Sequence, residues 1–276
     1  MEKNSLNQAK ELLRQTKALM IHAGAGMSVD SGIPDYRSKT GIIYTHPVLK
    51  KLNLSYTRVS DPDFLFQNPR LFWGIKAWQI KLILESTPHT GYNLIKKFAE
   101  QLPLKYFVYT SNIDNQFQDA EFNIQRITEC HGNALYLQCS RKCTNEIWSL
   151  DFEKLEFDEE KIEVNNLPEC PKCKELARPN VYLFGDGYWI KEKFRKQSEN
   201  FYSYINQLKE TDTIATILEI GAGKEVSTIR NHTEYYVKHF GYKLIRINTD
   251  FPDVPAGEIS LQGKAVDALG EIMDFK

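Results

Sequence analysis

The feature that most constrains this chain is a glycine-rich loop near its start, which reads AGAGMSVDSGIPDYR from Ala23 to Arg37. The loop follows the short apolar run ALMI, which predicts a buried strand that ends where the small residues begin. Without bulky side chains, the backbone of Gly24, Ala25 and Gly26 can approach a phosphate closely and direct its N–H groups at the anion. A plain strand-to-helix turn explains these residues equally well when they are taken alone.

Two later predicted strands also end in polar residues that suit a ligand site. The run LKYFVYT, which ends at Thr110, is rich in aromatic and β-branched residues and is followed by SNIDNQF. Parallel sheets bind ligands at the carboxyl ends of their strands, so Asn112 and Asp114 are candidate ligand contacts. An Asx turn at the strand end is the alternative. The run NIQRITE leads to His131, whose ordinary pKa of about 6.5 suits a general base near pH 7.

A second glycine loop, at residues 221–223, follows the apolar run TIATILEI, and a further strand, LIRIN, ends at Asn248. Helical segments separate these strands, beginning with one predicted from Ser5 to Lys17, where Ser5 can act as the cap. Strands that alternate with helices indicate an α/β protein. We therefore expect a doubly wound, mostly parallel, Rossmann-like sheet.

Composition limits the partners of the chain. Its 276 residues can bury one large core with a smaller domain attached, and its formal net charge is -1. Without a basic excess, nucleic acid and anionic membranes are not expected partners. No apolar run approaches the roughly 20 residues that span a bilayer, so we expect a soluble, cytoplasmic protein.

Four of the five cysteines form two close pairs: Cys139 with Cys143, and Cys170 with Cys173. Pairs spaced by two to four residues supply the four thiolates of a tetrahedral structural zinc site, although four reduced thiols in a core remain an alternative. The acidic segment between the pairs, DFEKLEFDEEKIEVNN, is predicted to be a solvated flap. The fifth cysteine, Cys130, is interpreted as a small buried residue.

Taken together, the motifs resemble the sirtuin family. GAGMSVDSGIPDYR is similar to the signature whose GAG, serine and GIPDFR bind NAD, with Tyr36 in place of phenylalanine. SNID is similar to the family's TQNID, and ARPNVYLFGD to the segment that pairs with an acyl-lysine peptide. The resemblance, from about Leu12 to Ile272, implies that His131 and Asn112 are catalytic and that NAD is bound by Gly24, Ala25, Gly26, Ser28, Asp35, Tyr36, Arg37, Ser111, Asn112, Asp114, Gly221, Ala222, Gly223, Asn248, Ala265 and Val266.

The resemblance implies an NAD-dependent protein lysine deacylase in which His131 deprotonates a ribose hydroxyl after nicotinamide leaves. This chain differs from the family at several points. Ser111 replaces a glutamine, for which Gln116 is a candidate substitute. GAGK replaces GTSL, with Ser227 and Thr228 nearby and Lys224 facing solvent in the simplest interpretation. The GDGYW continuation resembles a divergent bacterial subgroup related to macrodomain-linked sirtuins. Protein ADP-ribosylation and NAD sensing without turnover are therefore alternatives.

The resemblance also implies a division into three parts. Residues 1–37, 84–132 and 177–276 would form the NAD-binding domain, and residues 133–176 the zinc module. Residues 38–83 would form a helical insertion that covers the cofactor. The aromatic residues of that insertion are predicted to pack in a core, because such clusters are more often core than ligand cage.

Overall fold

The computed structural model describes residues 1–35 and 41–273, which form strands and helices in alternation. The described strands are β1 (Leu19–Ala23), β2 (Tyr106–Thr110), β3 (Ile127–Glu129), β4 (Gly132–Cys139), β5 (Ile147–Ser149), β6 (Phe157–Asp158), β7 (Glu163–Val164), β8 (Ala177–Val181), β9 (Thr216–Ile220), β10 (Lys243–Asn248) and β11 (Ile259–Gln262). The described α-helices are α1 (Lys3–Gln15), α2 (Gly26–Val29), α3 (Pro47–Leu52), α4 (Tyr56–Val59), α5 (Pro62–Gln67), α6 (Pro69–Glu85), α7 (Thr90–Gln101), α8 (Gln116–Asp119), α9 (Glu192–Glu210), α10 (Thr228–Phe240) and α11 (Ala265–Met273).

Six of the strands form one parallel sheet in the order β11, β10, β9, β1, β2, β3. Strand β1 lies in the middle, with Ala23 opposite Thr110 of β2 and Ile220 of β9. The carboxyl ends of these three strands are therefore level. The chain order reverses between β1 and β9, and such a switch point is where doubly wound sheets bind ligands. The predicted fold class is confirmed.

Helices cover both faces of this sheet because the side chains of a strand alternate between its faces. Leu19 and Ile21 of β1 pack in the same core cluster as apolar residues of α1, α7 and α11. Met20 lies in a separate cluster with apolar residues of α9 and α10. No helix in residues 1–35 and 41–273 is long and apolar enough to cross a membrane.

The first helix begins earlier than the sequence predicts. Its N-cap is Glu2, and the carbonyl of Glu2 accepts a hydrogen bond from the N–H of Leu6 at 3.1 Å. Ser5 therefore lies inside the first turn, and the prediction that it caps the helix is wrong. The buried face is the expected one, with Ala9 and Leu13 fully enclosed.

A second core unites the helices between β1 and β2 with the strands that carry the cysteines. The indole N–H of Trp73 in α6 donates to the carbonyl of Ala177 in β8 at 3.0 Å. Gly74, one residue on, lies so close to the backbone of Ile162 that an added Cβ would sit 1.7 Å from its carbonyl oxygen. Phe64 and Phe72 are also buried here, so the prediction of a packing role for the aromatic cluster is confirmed for these residues.

The acidic segment between the cysteine pairs is not a solvated flap. It forms the hairpin of β6 and β7, in which Ile162 and Val164 are completely buried against α6. Phe152, Leu155 and Phe157 also pack on this core. The prediction of a solvated flap was wrong because it relied on the acidic composition of the segment. The apolar residues that become buried are separated in the sequence by carboxylates that point to solvent.

Two histidines beneath the sheet, the buried His22 and the half-buried His232, lack full hydrogen bonding. His22 in β1 bonds Thr233 through Nδ1 at 2.8 Å, while its Nε2 and the Nδ1 of His232 in α10 have no hydrogen-bond partner within residues 1–35 and 41–273. The His232 ring stacks on Tyr109 with centroids 3.7 Å apart. Burial lowers the pKa of His232 to about 4 and the pKa of His22 well below its usual value.

We expect the His232→Phe variant to be less sensitive to acid than the wild type. The unfolded histidine takes up a proton near pH 6.5, whereas the folded one does so near pH 4, so the wild type loses stability as the pH falls across this window. Phenylalanine keeps the ring stack and removes about 1–3 kcal/mol of that loss. Thermal melts from pH 7 to pH 4.5 test this, with the exposed His239→Phe on the same helix as the control. Equal acid sensitivity of the wild type and His232→Phe would contradict it.

Candidate functional site

A cavity of about 760 Å³ lies at the carboxyl ends of the central strands. It extends from the segment after β2 and the start of β4 to the loops after β9 and β10. Of the predicted site residues, those that line it are Gly24, Ala25, Gly26, Asp35, Ser111, Asn112, His131, Gly221, Ala222, Gly223, Asn248 and Ala265. The structure thus brings together residues that the sequence spreads over more than 240 positions.

The two glycine loops touch each other at the base of this cavity. The N–H of Gly26 donates to the carbonyl of Gly221 at 3.1 Å, and the N–H of Gly24 donates to the carbonyl of Ile220 at 2.9 Å. A Cβ on Gly221 would lie 2.4 Å from Gly26, and Gly221 has a φ of +63°. Both the close approach and the left-handed backbone require glycine at this position.

Beside the first glycine loop, buried polar side chains form a closed hydrogen-bond network. Ser28 donates to Asp114 Oδ2 at 2.5 Å and lies 3.1 Å from the Tyr92 hydroxyl. Asn112 donates from Nδ2 to Ser28 at 3.1 Å and to the carbonyl of Gly24 at 3.0 Å. The network therefore fixes Asn112 at the cavity wall.

Ser28 and Asp114 lie behind that wall, since neither is among the lining residues. Burial raises the pKa of Asp114 to about 6, while the hydrogen bond from Ser28 lowers it. Their arrangement supports Asn112 from behind.

Gln116 is also fully buried, and its Nε2 donates to Ser86 at 2.9 Å. The interpretation that Gln116 substitutes for the missing glutamine in the cavity is therefore wrong.

His131 stands on the cavity wall between β3 and β4. It hydrogen-bonds the backbone of Ser111, and its Nε2 lies 3.2 Å from the Thr228 hydroxyl. Burial lowers the pKa of His131, so the imidazole is neutral at pH 7. The adjacent thiol of Cys130 is buried, as predicted, and burial raises its pKa to about 12, which excludes a reactive thiolate near neutral pH.

The far end of the cavity is closed by the loops after β10 and β11. Asn248 donates to the carbonyl of Ala222 at 2.9 Å, and its Oδ1 accepts from the N–H groups of Asp250 and Phe251. Ala265 lines the cavity, whereas Val266 does not, and the N–H of Val266 donates to Asp30. Asn248 therefore joins the loop after β9 to the loop after β10, as well as facing the cavity.

Lys224 does more than face solvent. It lines the cavity, and its ammonium group pairs with Asp253 at 3.0 Å. Asp30, which also lines the cavity, accepts a hydrogen bond from the N–H of Val266 in the first turn of α11. Sequence reasoning missed Asp30 because its partner lies 236 residues away. Tyr36 and Arg37 lie outside the described residues.

The four paired cysteines form one cluster outside the cavity, with their sulfur atoms all within 4.8 Å of one another. Cys139 and Cys173 sulfurs are 3.6 Å apart, and Cys143 and Cys170 sulfurs are 3.5 Å apart. A tetrahedral zinc with Zn–S bonds of about 2.3 Å places its sulfurs about 3.8 Å apart. The cluster therefore fits a zinc ion, and these distances are too long for disulfide bonds.

Fold and site together define a doubly wound α/β protein with a ligand cavity at its switch point and a four-cysteine cluster beside it. The chain belongs to the Sir2 family, because its residues 24–227 match that family. It is 31% identical to the NAD-dependent protein deacylase of Aquifex aeolicus over 253 residues, which is 91% of this chain and 92% of the relative. It is 26% identical to the deacylase of the same name from Thermococcus kodakarensis over 269 residues, 97% of this chain and 94% of that one.

Solved structures agree on the fold. A Sir2 homologue in complex with NAD has a TM-score of 0.71 and 22% identity, and the alignment covers 99% of this chain and 93% of that one. A Sir2 variant with a deacetylated p53 peptide and 3′-O-acetyl ADP-ribose has a TM-score of 0.70 and 23% identity, with coverage of 98% and 97%. The predicted membership of the sirtuin family is confirmed.

Proposed function

We propose that this chain is an NAD-dependent protein lysine deacylase, which releases nicotinamide and transfers the acyl group to ADP-ribose. The observation that carries the proposal is the position of His131 on the wall of a switch-point cavity, beside Ser111 and Asn112. Relatives that cover more than nine-tenths of this chain are named for the same activity. The match to the Sir2 family supports NAD-dependent deacylation as the reaction.

For the cofactor, we propose that the crossing glycine loops hold the phosphates and that Asn248 and Ala265 lie at the adenosine end. Small residues let a pyrophosphate approach the backbone of both loops closely. Asn112 would orient the nicotinamide ribose, since Ser28 and Asp114 hold it in place from behind. Asp35, Tyr36 and Arg37 would complete the nicotinamide end.

In the reaction, the acyl oxygen of the substrate lysine displaces nicotinamide from the ribose carbon. We assign His131 the following step, in which its neutral imidazole accepts the proton of a ribose hydroxyl. The freed oxygen electron pair can then attack the acyl carbon, after which the bond to the lysine nitrogen breaks, lysine leaves as the free amine and one water molecule is taken up to complete the acyl-ADP-ribose. Because burial lowers the pKa of His131, the base is unprotonated at physiological pH.

The substrate peptide would approach along the exposed rings beside the cavity. Tyr182 follows β8, lines the cavity and is half exposed, as is Phe184 two residues later. Behind them, Arg178 and Asp186 form a completely buried ion pair that fixes the turn. The exposed rings are thus carried on a rigid segment that a peptide can lie against.

Zinc would be held by Cys139, Cys143, Cys170 and Cys173. Four thiolates close the coordination shell and leave no position for a substrate, so the ion would be structural. We also propose that the chain is divided into an NAD-binding domain, a helical insertion and a zinc module, and that the protein is cytoplasmic.

The proposal is tested by incubating the protein with NAD and a panel of acyl-lysine peptides, followed by mass spectrometry of peptides and nucleotides. Deacylated peptide together with acyl-ADP-ribose is the expected result. Transfer of ADP-ribose to protein without peptide consumption would instead identify an ADP-ribosyltransferase. NAD binding without any product would identify a sensor, and either result would overturn the proposal.

A further inference from the structure

Within residues 1–35 and 41–273, the side chains that line the cavity carry more negative than positive charge. The lysines among them are Lys224 and Lys264. The carboxylates that line the same space are Asp30, Asp35, Glu225 and Asp250. A pyrophosphate brings further negative charge into the cavity, so a cation close to it makes binding more favourable.

The backbone of the glycine loops supplies only part of that compensation. Three of its N–H groups already donate to carbonyls of the protein: Gly24 to Ile220, Gly26 to Gly221, and Gly221 to Ile247. A backbone N–H also carries only a partial charge, whereas an ammonium group carries a full one. A lysine beside the loops would therefore add an interaction that the loops themselves cannot make.

Lys224 comes directly after the second glycine loop and links it to the loop after β10. Its Nζ lies 3.0 Å from Asp253 Oδ1 and 5.3 Å from the centre of the Phe251 ring. Phe251 lines the cavity, whereas Asp253 does not. The ammonium group therefore lies at the rim of the cavity, between the space for the cofactor and a carboxylate outside it. Lys264 belongs to a different part of the wall, at the start of α11.

The pair between Lys224 and Asp253 can be exchanged for another partner at little cost. The two side chains are 50% and 63% exposed, and ion pairs between exposed side chains contribute little to stability. Arg230 keeps the loops in place independently, because its buried guanidinium donates to the carbonyls of Ala222 and Phe251. The Lys224 side chain can therefore change partner without moving the backbone.

We propose that Lys224 leaves Asp253 and pairs with the pyrophosphate when NAD binds, so that Asp253 competes with the cofactor for the ammonium group. The proposal rests on the proposed function, in which the glycine loops hold the phosphates. A lysine suits this exchange because its ammonium group is a point charge on a flexible stem. Lys224 would then set the affinity for the cofactor, with no part in the chemical steps.

ADP-ribose tests the contact without any turnover, because it carries the pyrophosphate of NAD and has no nicotinamide to release. In calorimetric titrations, we expect Lys224→Met to bind ADP-ribose roughly 10-fold more weakly than the wild type, the low end for a hydrogen bond to a charged group. Adenosine, which has no phosphate, should bind both proteins equally. Added salt should weaken the binding of ADP-ribose to the wild type more than to Lys224→Met, because salt screens exposed charges.

The matched variant Asp253→Asn distinguishes a contact with the ligand from a link between two loops. We expect Asp253→Asn to bind ADP-ribose roughly 2- to 5-fold more tightly than the wild type, because the competing carboxylate is gone. If Lys224 only linked the loops, both variants would break the same link and both would bind more weakly. That result would overturn the proposal, as would wild-type affinity in Lys224→Met or no gain in Asp253→Asn.

The proposed function is judged by a separate measurement. A wild type that binds ADP-ribose through Lys224 but consumes no acyl-lysine peptide would refute deacylation and leave the role of Lys224 intact. Deacylation by the wild type together with unchanged ADP-ribose affinity in Lys224→Met would refute the role of Lys224 alone. ADP-ribose with an added 2′-phosphate is a further probe. If it bound more tightly than ADP-ribose and only that gain were lost in Lys224→Met, the ammonium group would lie at the ribose, and the pyrophosphate contact would be refuted.

Discussion

The Cys143→Ser variant is expected to lose its zinc and to melt roughly 10–20 °C below the wild type. Cys143 is exposed, so its replacement removes almost no packing. The loss arises from the metal, because three thiolates bind zinc far more weakly than four. Structural zinc supplies about 10–16 kcal/mol of apparent binding energy in small zinc modules. We expect a smaller loss here, because this module also packs against the core that includes α6.

Loss of zinc is expected to destabilise parts of the protein beyond the cysteine cluster. The strands that carry them share one core with α6, through Trp73, Ile162 and Val164. Loss of zinc is therefore expected to loosen the helical insertion as well. Hydrogen exchange of residues 69–85 in the metal-free protein would report this.

Cys130 provides a matched control. It lies outside the cluster and is buried, so Cys130→Ala removes packing but no zinc ligand. If packing dominated, Cys130→Ala would be the more damaging change, whereas zinc ligation predicts the opposite order. Metal analysis and thermal melts of the two variants decide between them, and zinc-free wild-type protein with a normal melting temperature would refute the site.

What the sequence could predict was local. The glycine loops, the ends of the central strands and the spacing within each cysteine pair are all patterns of a few residues, and each was recognised as a candidate site. The alternation of strands and helices then fixed the fold class, because parallel strands place their carboxyl ends at one edge.

What it could not predict depends on contacts between distant residues. Ser28 and Asp114 belong to ligand-like motifs, yet they face each other behind the wall, 86 positions apart. Thr228 reaches His131, and Asp30 reaches Val266, only after the sheet has formed. No local pattern marks such pairs, since each residue alone is an ordinary polar residue near a turn.

The prediction for the segment between the cysteine pairs was wrong for a different reason. Its average composition is acidic, but its burial depends on which individual side chains turn inwards. Ile162 has a φ of +56°, which places it in the turn just before β7, where it packs against Gly74 of α6. Composition averages over such positions, and Gly74 is the complementary signal in a helix where alanine would be the better helix former.

The His131→Ala variant is expected to lose deacylation by roughly 10²- to 10⁴-fold, the usual contribution of a general base. Nicotinamide exchange should persist, because attack by the acyl oxygen requires no base. Measuring both rates on one preparation separates loss of the base from loss of the fold. The thermal melt should change little, since His131 is only partly buried and its ring bonds one hydroxyl and one carbonyl.

The size of this effect also separates the two kinds of enzyme that the motifs allow. Transfer of ADP-ribose to a ready nucleophile such as a carboxylate needs no proton removed by His131, so it would survive the replacement. Asn112→Ala is the matched variant, because Asn112 lies on the same wall and is proposed to orient the nicotinamide ribose for the first step. We expect Asn112→Ala to reduce exchange and deacylation together, and His131→Ala to reduce deacylation alone. Equal loss of both rates in His131→Ala, with a wild-type melt, would place His131 in the first step and contradict the assignment.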